Sequence, residues 1–309
     1  MTDRKNAAAL RIAQSSFLSS GCFFDYLVSG QLTPMITTSS LHPVHEATEP
    51  TVALRCAAAL RLFVALDYDG TLVSIAPRPE EARPTATVLD LLSRLAQTPD
   101  ISVVIVSGRP LADLRTLLPI PGVAYIGTHG LEICTAEGEV SSLLPPGAFS
   151  TILSCLRRDA ERLIAGVPGV FLEDKGQALA LHYRLAPQET AARLVPQFLA
   201  NIRGYQTRGV ALEVLHGKKT LEVCPVGVNK GKALQFFLRP RDPATLPLYI
   251  GDDATDEAAF RALHRHGITI LVADPPRHTF AQYYVRNPDE VSQLITRMLN
   301  MRDSAQRDA

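Results

Sequence analysis

The stretch that most constrains the fold begins at residue 62, where five consecutive apolar residues lead directly into Asp67, Tyr68 and Asp69. The apolar run, residues 62–66, predicts a strand that is buried on both faces, as in a parallel sheet. Gly70 comes next and allows the backbone to turn sharply. Two carboxylates therefore follow the carboxyl end of a predicted strand, where open α/β sheets bind their ligands. Such a pair can hold a cation, or one acid can attack an electrophile while the other transfers a proton.

Strands and helices alternate on either side of this run, which predicts a parallel sheet with crossover helices. Before residue 145 the further predicted elements are a helix opened by Pro84, a strand over 101–106, a helix over 112–118, a strand over 123–126 and a hairpin over 131–140. After Pro225 they are a helix from Lys230, strands over 246–250 and 268–272, and helices over 257–263 and 288–300. We therefore predict an α/β fold with a Rossmann-like core formed by residues 56–145 and 226–309.

Residues 146–225 follow a different pattern between the two halves of this core. Helices are predicted over 148–165 and 188–203, and each is followed by two strands, over 170–174 and 178–184, and over 210–215 and 219–224. The order αββαββ is typical of a split unit in which two helices cover one face of an antiparallel sheet. We expect this segment to form a separate inserted α+β domain.

Residues 1–55 differ in composition from the rest, because they are rich in Ser and Thr and lack a sustained hydrophobic period. We predict that they form a disordered extension. A second interpretation is that translation starts at Met35. No basic region leads into the apolar segment that a secretory signal requires, and Arg4, Lys5 and Arg11 give only a weak similarity to a transit peptide.

The overall composition argues against several classes of function. The 309 residues carry a formal net charge of zero, so electrostatic binding to nucleic acid or to a membrane surface is not expected. No apolar run approaches the roughly 20 residues needed to cross a bilayer. The five cysteines are widely spaced and form no CxxC pair, which predicts reduced thiols in a cytoplasmic protein.

Polar residues at four places are expected to meet at one edge of the sheet, namely Asp67 with Asp69, Ser107, Lys230, and the acids Asp252, Asp253 and Asp256. A phosphate monoester dianion repels an attacking carboxylate, so phosphoryl transfer needs a cation and an ammonium group at the same place. Mg²⁺ prefers oxygen ligands, which two carboxylates and the backbone carbonyl of Asp69 can supply. Ser107 can donate a hydrogen bond to a phosphoryl oxygen. The pattern therefore indicates a phosphoryl-transfer site.

These residues carry a resemblance to a known superfamily. DYDGT, the serine of VSGR, the lysine of NKGKAL and the acids of GDDATDE resemble motifs one to four of the haloacid dehalogenase (HAD) superfamily of phosphatases. The αββαββ insertion resembles the cap that such enzymes carry between motifs two and three. Longer strings, among them GTHGLE, LEDKGQALALHYR and HGKKTLEVCPVGVNKGKAL, are similar to the trehalose-6-phosphate phosphatase family over about residues 60–300. The resemblance implies Mg²⁺-dependent hydrolysis of trehalose 6-phosphate through an aspartyl phosphate.

The resemblance also implies a role for each motif residue. Asp67 would attack phosphorus, and Asp69 would protonate the departing sugar oxygen and later deprotonate the attacking water. Lys230 would neutralise the nucleophile and the transferring group, and Ser107 would bind a phosphoryl oxygen. The implied metal ligands are Asp67, Asp69 and Asp252, and the implied partners of those ligands or of Lys230 are Asp253 and Asp256.

The candidate substrate-binding residues are mainly polar and lie in core loops, or within strands of the insertion and at their ends. The hydroxyls of a neutral disaccharide need paired donors and acceptors, and its phosphate needs positive charge. The candidates in the core are Gly70, Gly108, Arg109, His129 and Glu132. The candidates in the insertion are Glu173, Lys175, His182, Arg184, Lys218 and Glu222.

Three alternatives stay open at this point. One is a phosphatase for another sugar phosphate, such as sucrose phosphate, on the same core and cap. Another is a receiver-like regulator that carries phosphate on an aspartate, although a receiver has no inserted αββαββ unit. The third is a non-catalytic regulator bound to a trehalose-phosphate synthase. For the enzyme, we expect a small sugar phosphate as substrate and functional coupling to trehalose-6-phosphate synthase.

Overall fold

The computed structural model describes residues 45–47, 51–145, 147, 149–238 and 244–307. In chain order, the described strands are β1 (His45–Glu46), β2 (Arg61–Asp67), β3 (Ile101–Val106), β4 (Val123–Gly127), β5 (Glu132–Cys134), β6 (Val140–Ser142), β7 (Phe171–Asp174), β8 (Leu179–His182), β9 (Leu212–Gly217), β10 (Thr220–Pro225), β11 (Thr245–Gly251), β12 (Ile268–Val272) and β13 (Tyr283–Val285). The described helices are α1 (Thr51–Ala57), α2 (Ala86–Gln97), α3 (Leu111–Leu117), α4 (Ser150–Ile164), α5 (Gln188–Gln206), α6 (Lys230–Phe237), α7 (Glu257–Leu263) and α8 (Pro288–Arg307).

Among the described residues, the larger of two sheets has nine strands in the order β1-β13-β12-β11-β2-β3-β4-β5-β6. Neighbouring strands from β1 to β4 in this order pair in parallel. The hairpin β5-β6 adds two antiparallel strands at the edge next to β4. The predicted α/β fold with a Rossmann-like parallel sheet is confirmed.

Strand β2 shows why the run over 62–66 is apolar throughout. Successive side chains of a strand point to opposite faces of the sheet. Leu62, Val64 and Leu66 pack in a hydrophobic cluster with α1, α2, α3 and α8. Phe63 and Ala65 pack in a second cluster with α6 and α7. Because helices cover both faces, the strand has no solvent-facing side on which polar residues could alternate.

The smaller sheet, in the order β7-β8-β10-β9, is antiparallel throughout. Helices α4 and α5 pack against it through a hydrophobic cluster of its own, which includes Leu153, Leu181, Phe198 and Leu221. The element order is the predicted αββαββ. The domain boundaries, with core residues 56–145 and 226–309 and an insertion over 146–225, stay predictions.

The beginning of the described chain differs from the predicted disorder of residues 1–55. Strand β1 pairs in parallel with β13, and the α1 side chains of Val52, Ala53 and Cys56 are buried in the core. The prediction is therefore wrong for residues 45–47 and 51–55, while 1–44 and 48–50 lie outside the described residues. A two-residue strand and a seven-residue helix are too short to show a hydrophobic period, and such elements depend on tertiary packing.

Helix α8 continues to Arg307, beyond the predicted end at residue 300. Arg302 on this extension is only 6% exposed. Its guanidinium donates hydrogen bonds to the carbonyl oxygens of Ala59 at 2.7 Å and Leu60 at 3.2 Å, just after the end of α1. The last turns of α8 are therefore held by Arg302, which donates hydrogen bonds to carbonyl groups that follow α1. Local sequence does not predict this contact.

Two expectations from composition concern thiols and membranes. The cysteines among the described residues are all free, as predicted, namely Cys56, Cys134, Cys155 and Cys224. Cys22 lies outside the described residues. None of the described helices combines the length and the apolar composition that spanning a bilayer requires.

Candidate active site

The predicted site residues meet where the parallel strands end. Strands β2 and β3 are neighbours in register, with Asp67 beside Val106, so Ser107 follows at the same edge. On the other side of β2, strand β11 ends one residue before Asp252. Lys230, the first residue of α6, reaches the same edge from a helix start. The four groups predicted from separate motifs therefore lie together.

Lys230 forms the centre of a buried ion network. Its Nζ lies 2.7 Å from Oδ1 of Asp67 and 2.7 Å from Oδ1 of Asp256, and the lysine side chain is 3% exposed. Burial opposes the charge of Lys230, but Asp256 and Asp67 raise its pKa above the ordinary value. Burial raises the pKa of Asp67 well above its ordinary value, while Lys230 acts in the opposite direction. A permanent ammonium group is thus held against the candidate nucleophile.

Asp256 is saturated with hydrogen bonds. Besides Lys230, its Oδ1 accepts from the hydroxyl of Tyr249 at 2.6 Å. Its Oδ2 accepts from the backbone N–H groups of Asp252 and Asp253, both at 2.9 Å. This fits the expected role of a partner that holds Lys230. Sequence reasoning missed Tyr249, because a tyrosine within an apolar strand shows no functional signal until the register places it beside an acid.

One carboxylate oxygen from each of Asp67, Asp252 and Asp256 lies within 4.8 Å of the other two. Burial, followed by the charge of Asp256, raises the pKa of Asp252 to about 6. Gly70 has φ +90, and a Cβ at that position would lie 2.1 Å from Oδ2 of Asp252, so a glycine backbone closes one side of the cluster. Closely spaced oxygens in a compact cradle are the donor set that a hard divalent cation requires. The residues therefore fit Mg²⁺.

Asp69 is oriented differently from the other acids. Its two carboxylate oxygens each lie 2.7 Å from a donor of Arg109, one from Nε and one from Nη2. The Asp69 side chain is 36% exposed, whereas that of Asp67 is 5% exposed. The two aspartates of the DYD motif thus face separate environments, one against an ammonium group and the other toward the open space above the site.

A cavity lies above this edge, between the larger and the smaller sheet. The catalytic and acidic candidates that line it are Asp67, Asp69, Ser107, Lys230, Asp252 and Asp253. Of the eleven predicted substrate-binding residues, those that line it are Gly108, Arg109, His129, Glu173, Lys175, His182, Arg184, Lys218 and Glu222. Residues that are distant in sequence, from the larger sheet with its loops and from the insertion, therefore line one cavity.

Gly70 and Glu132 do not line the cavity, contrary to their prediction as substrate ligands. Oε2 of Glu132 accepts hydrogen bonds from the backbone N–H of Leu111 at 3.0 Å and from the hydroxyl of Thr128 at 2.7 Å. Glu132 therefore satisfies an unpaired N–H at the start of α3, as a negatively charged group at a helix N-terminus does. Gly70 instead provides room for Asp252.

Glu222 links the smaller sheet to the loops of the larger one. Its Oε2 lies 2.5 Å from Nζ of Lys175 and 3.1 Å from Nε2 of His129, and Lys175 also donates to the carbonyl of Gly108 at 2.7 Å. Burial opposes ionisation of Glu222, but His129 and Lys175 lower its pKa to about 2. Oε1 of Glu222 and Nδ1 of His129 are buried without a hydrogen-bond partner among the described residues.

The remaining candidates of the insertion form three polar contacts. Nε2 of His182 lies 2.7 Å from Oε2 of Glu173. Burial opposes ionisation of Glu173, but the hydrogen bond from His182 and the charge of Lys175 lower its pKa below the ordinary value. Arg184 donates to the carbonyl of Lys218 at 2.6 Å. Lys218 in turn places its Nζ 2.5 Å from Oδ2 of Asp252. A lysine in the turn between β9 and β10 of the smaller sheet therefore contacts the acidic cluster directly.

Several cavity residues carried no signal in the sequence. The lining residues that were not predicted are Ile75, Ala76, Pro77, Arg78, Pro79, Ala82, Leu215, Gly217, Thr220 and Thr255. Most belong to the irregular stretch 75–82, which follows the DYDGT motif and returns over the site. A loop has no hydrophobic period, so the position of Arg78 could be found only from the tertiary structure.

Comparisons with known proteins agree with this geometry. The family model described as "Trehalose-phosphatase" matches residues 65–289. A trehalose-phosphate phosphatase from Mycobacterium marinum is 33% identical over 247 residues, which cover 77% of this chain and 61% of that protein. The chain thus spans about three fifths of the length of this relative.

Two solved structures are similar in fold. The C-terminal domain of trehalose-6-phosphate phosphatase from C. albicans has a TM-score of 0.75 at 21% identity, over 84% of this chain and 98% of that one. Trehalose-6-phosphate phosphatase from Aspergillus fumigatus has a TM-score of 0.60 at 29% identity, over 84% and 99% of the two chains. Together with the family match, the curated relatives confirm the resemblance to the trehalose-6-phosphate phosphatase family. Since the family match covers most of the sequence and includes every catalytic motif, this chain belongs to the trehalose-phosphatase family.

Proposed function

We propose that this chain hydrolyses trehalose 6-phosphate to trehalose and inorganic phosphate, with Mg²⁺, through an aspartyl phosphate on Asp67. One observation carries the proposal. A buried lysine lies 2.7 Å from the Asp67 carboxylate, within an acidic cluster that opens into a cavity lined by polar residues of the smaller sheet. The family match and the names of the relatives support the same reaction.

In the first step, a carboxylate oxygen of Asp67 attacks phosphorus, and the bond between phosphorus and the sugar oxygen breaks. Lys230 offsets the negative charge that the nucleophile and the phosphoryl group bring together. Ser107 donates a hydrogen bond to a phosphoryl oxygen; its own oxygen accepts from the Arg109 backbone N–H at 3.1 Å, which fixes the hydroxyl in place. Asp69 gives its proton to the departing sugar oxygen, so that trehalose leaves as a neutral alcohol.

In the second step, Asp69 acts as a base. Its carboxylate takes a proton from a water molecule as that water attacks phosphorus, and the bond between phosphorus and Asp67 breaks. The products are inorganic phosphate and the free Asp67 carboxylate. The greater exposure of Asp69 supports this role, because the water and the sugar must both reach it from the cavity.

Asp67 and Asp252, with the backbone carbonyl of Asp69, would hold Mg²⁺, and Asp256 would position Lys230. When bound, the ion supplies positive charge that stabilises the oxygens of the transferring phosphoryl group. Lys218 contacts Asp252 at 2.5 Å, so it would have to share or yield that oxygen when a cation binds.

Gly70→Ala tests the cradle beside Asp252. We expect phosphatase activity to fall by about 100-fold, because the new Cβ displaces the carboxylate by an ångström or more. Gly138→Ala is the matched control: Gly138 has φ +91, nearly the same as Gly70, but no atom lies within 4 Å of its Cβ position. In both variants the positive φ should lower the free energy of unfolding by about 1 to 2 kcal/mol, because a residue with a Cβ is strained in this conformation. The affinity for Mg²⁺, measured by calorimetry, should fall only in Gly70→Ala. An equal loss of Mg²⁺ affinity and of activity in both variants would contradict this explanation.

Recognition of the sugar is assigned to the polar groups around Glu222. Glu222 and His129 both line the cavity, and their side chains carry polar atoms that can hydrogen-bond to sugar hydroxyls. Glu173, His182, Arg184 and Lys175 line the same space and add donors and acceptors. A disaccharide that filled the cavity would satisfy these groups better than a single hexose.

The proposal is tested by phosphate release from trehalose 6-phosphate, sucrose 6-phosphate and glucose 6-phosphate. We expect a clear preference for trehalose 6-phosphate, loss of activity with EDTA and recovery with added Mg²⁺. Glu222→Gln should raise the KM for trehalose 6-phosphate and leave hydrolysis of p-nitrophenyl phosphate, which has no sugar, nearly unchanged. Equal rates on the three sugar phosphates would refute the specificity, and a stable phosphoprotein without turnover would favour the receiver-like alternative.

Cytoplasmic localisation and functional coupling to trehalose-6-phosphate synthase stay predictions. The first is supported by the free cysteines of the described residues, which suit a reducing compartment. The second rests on chemistry, since a phosphatase of this specificity needs a reaction that forms its substrate.

A further inference from the structure

We propose that Arg109 is a positioning residue for Asp69: it fixes the carboxyl group that transfers the proton, and it is not primarily a ligand of the sugar. The inference rests on the proposed function, because it assumes that Asp69 acts as the acid and base. It differs from the expectation for Arg109 drawn from the sequence, which was direct contact with the substrate.

The contact between the two residues is a two-point fork. Nε of Arg109 lies 2.7 Å from Oδ2 of Asp69, and Nη2 lies 2.7 Å from Oδ1. Arg109 as a whole is 7% exposed. A planar guanidinium that binds both carboxylate oxygens restricts rotation of the carboxylate as well as its distance. A single point charge at the same place would attract Asp69 without orienting it.

The arginine is itself held from several sides. Nη2 also donates to the carbonyl of Pro79 at 2.6 Å, and the guanidinium lies over the ring of Tyr68, 5.1 Å from its centroid. Tyr68 is anchored in turn by a hydrogen bond from its hydroxyl to the carbonyl of Ala82 at 2.9 Å. The segment from residue 79 to 82, which borders the cavity, is therefore connected to Asp69 through Arg109.

The backbone of Arg109 is fixed as well. Its N–H donates to Oγ of Ser107 at 3.1 Å, and its carbonyl accepts from the N–H of Thr128 at 2.8 Å. With its main chain bonded on both sides, Arg109 directs three of the five N–H groups of its guanidinium at Asp69 and Pro79. Its geometry suits the support of another side chain.

Such support matters because Asp69 must act twice at the same place. When Asp69 is protonated, one oxygen carries the proton toward the sugar oxygen, while the other can still accept a hydrogen bond from Arg109. After the proton has passed to the alcohol, the carboxylate must face the water that attacks the aspartyl phosphate. A fixed orientation serves both transfers, since proton transfer depends on hydrogen-bond reach.

The test compares Arg109→Lys and Arg109→Gln with the wild type in single-turnover experiments. On trehalose 6-phosphate we expect release of trehalose to slow by about 10- to 100-fold, as misplacement of a catalytic group by about an ångström does. On p-nitrophenyl phosphate we expect the initial burst of nitrophenolate to change by less than about threefold, since this leaving group needs no protonation. Arg115→Lys, the same change at an exposed position of α3, is the matched control.

A double-variant cycle separates positioning from a merely structural role. In an Asp69→Asn background, the change Arg109→Lys should cause no further slowing of trehalose release, because the group on which it acts has been removed. Thermal unfolding of each variant shows whether it is folded, and the nitrophenolate burst reports an intact nucleophile in the same sample.

The outcomes that overturn the inference are distinct from those that overturn the proposed function. A higher KM with unchanged kcat would make Arg109 a substrate ligand. Equal slowing of trehalose release and of the nitrophenolate burst would show that Arg109 acts on the phosphoryl group or on the overall fold. Additive effects in the Asp69→Asn background would also refute positioning. A wild-type chain without phosphatase activity on any sugar phosphate would instead refute the proposed function.

Discussion

Replacement of Asp67 by asparagine is expected to abolish turnover while leaving the protein folded. We expect kcat on trehalose 6-phosphate to fall by at least about 10⁴-fold, equivalent to about 5.4 kcal/mol of activation free energy, because an amide does not attack phosphorus as a carboxylate does. Stability should be retained or should rise. Lys230 keeps its contact with Asp256 at 2.7 Å, and the Asn variant removes one of three clustered carboxylates.

The measurements are phosphate release, acid-stable capture of a phosphoprotein after rapid quenching, and thermal unfolding. Phosphoprotein should form in the wild type and be absent from the Asp67→Asn variant. The control is Asp113→Asn, the same substitution at an exposed position of α3. This variant should keep its activity and form the phosphoprotein. An Asp67→Asn variant that kept a hundredth or more of the wild-type rate would show that another group is the nucleophile.

Replacement of Lys230 by methionine is expected to remove activity and also to destabilise the fold. The lysine is 3% exposed and lies 2.7 Å from both Asp67 and Asp256. Removing one partner of a buried ion network leaves uncompensated charge, which costs about 3 to 5 kcal/mol. The free energy of unfolding, from urea denaturation without added metal, should fall by this amount. Phosphate release should be undetectable even under conditions in which the variant is folded.

The double variant Lys230→Met with Asp256→Asn isolates the electrostatic cause. If uncompensated negative charge causes the instability, removal of one acid should restore part of the lost free energy of unfolding, and the effects of the two changes will not add. Activity should stay absent, because the ammonium group that offsets the transferring phosphoryl group is still missing. A Lys230→Met variant as stable as the wild type would contradict the account of this network.

Much of the core could be predicted from local sequence. The run over 62–66 indicated a strand covered on both faces, and the structure gives β2 (Arg61–Asp67) with helices on either side. The αββαββ order of the insertion was also found from alternating helical and strand periods. These predictions succeeded because burial of apolar side chains follows the helix and strand periods within a single segment.

The candidate site could be predicted only in part. Asp67, Ser107, Lys230 and Asp252 were expected at one edge because parallel strands end together, and they lie there. Tyr249 and Arg78 were missed, since neither belongs to a motif and both reach the site through tertiary packing. Glu132 was expected to bind substrate, but its carboxylate bonds to the start of α3 instead.

The sequence by itself determined most strands and helices, apart from β1, α1 and the end of α8. It also determined which strand ends and helix starts carry acids, a hydroxyl and a lysine, because these properties depend on neighbours along the chain. Only the tertiary structure decided the environment of each acid. Asp67 contacts Lys230, Asp69 is bound at both oxygens by Arg109, and Asp256 accepts four hydrogen bonds. The physical reason is that the charge state and orientation of a carboxylate depend on burial and on partners that are distant in sequence. Identical residues in one short motif can therefore have different chemistry.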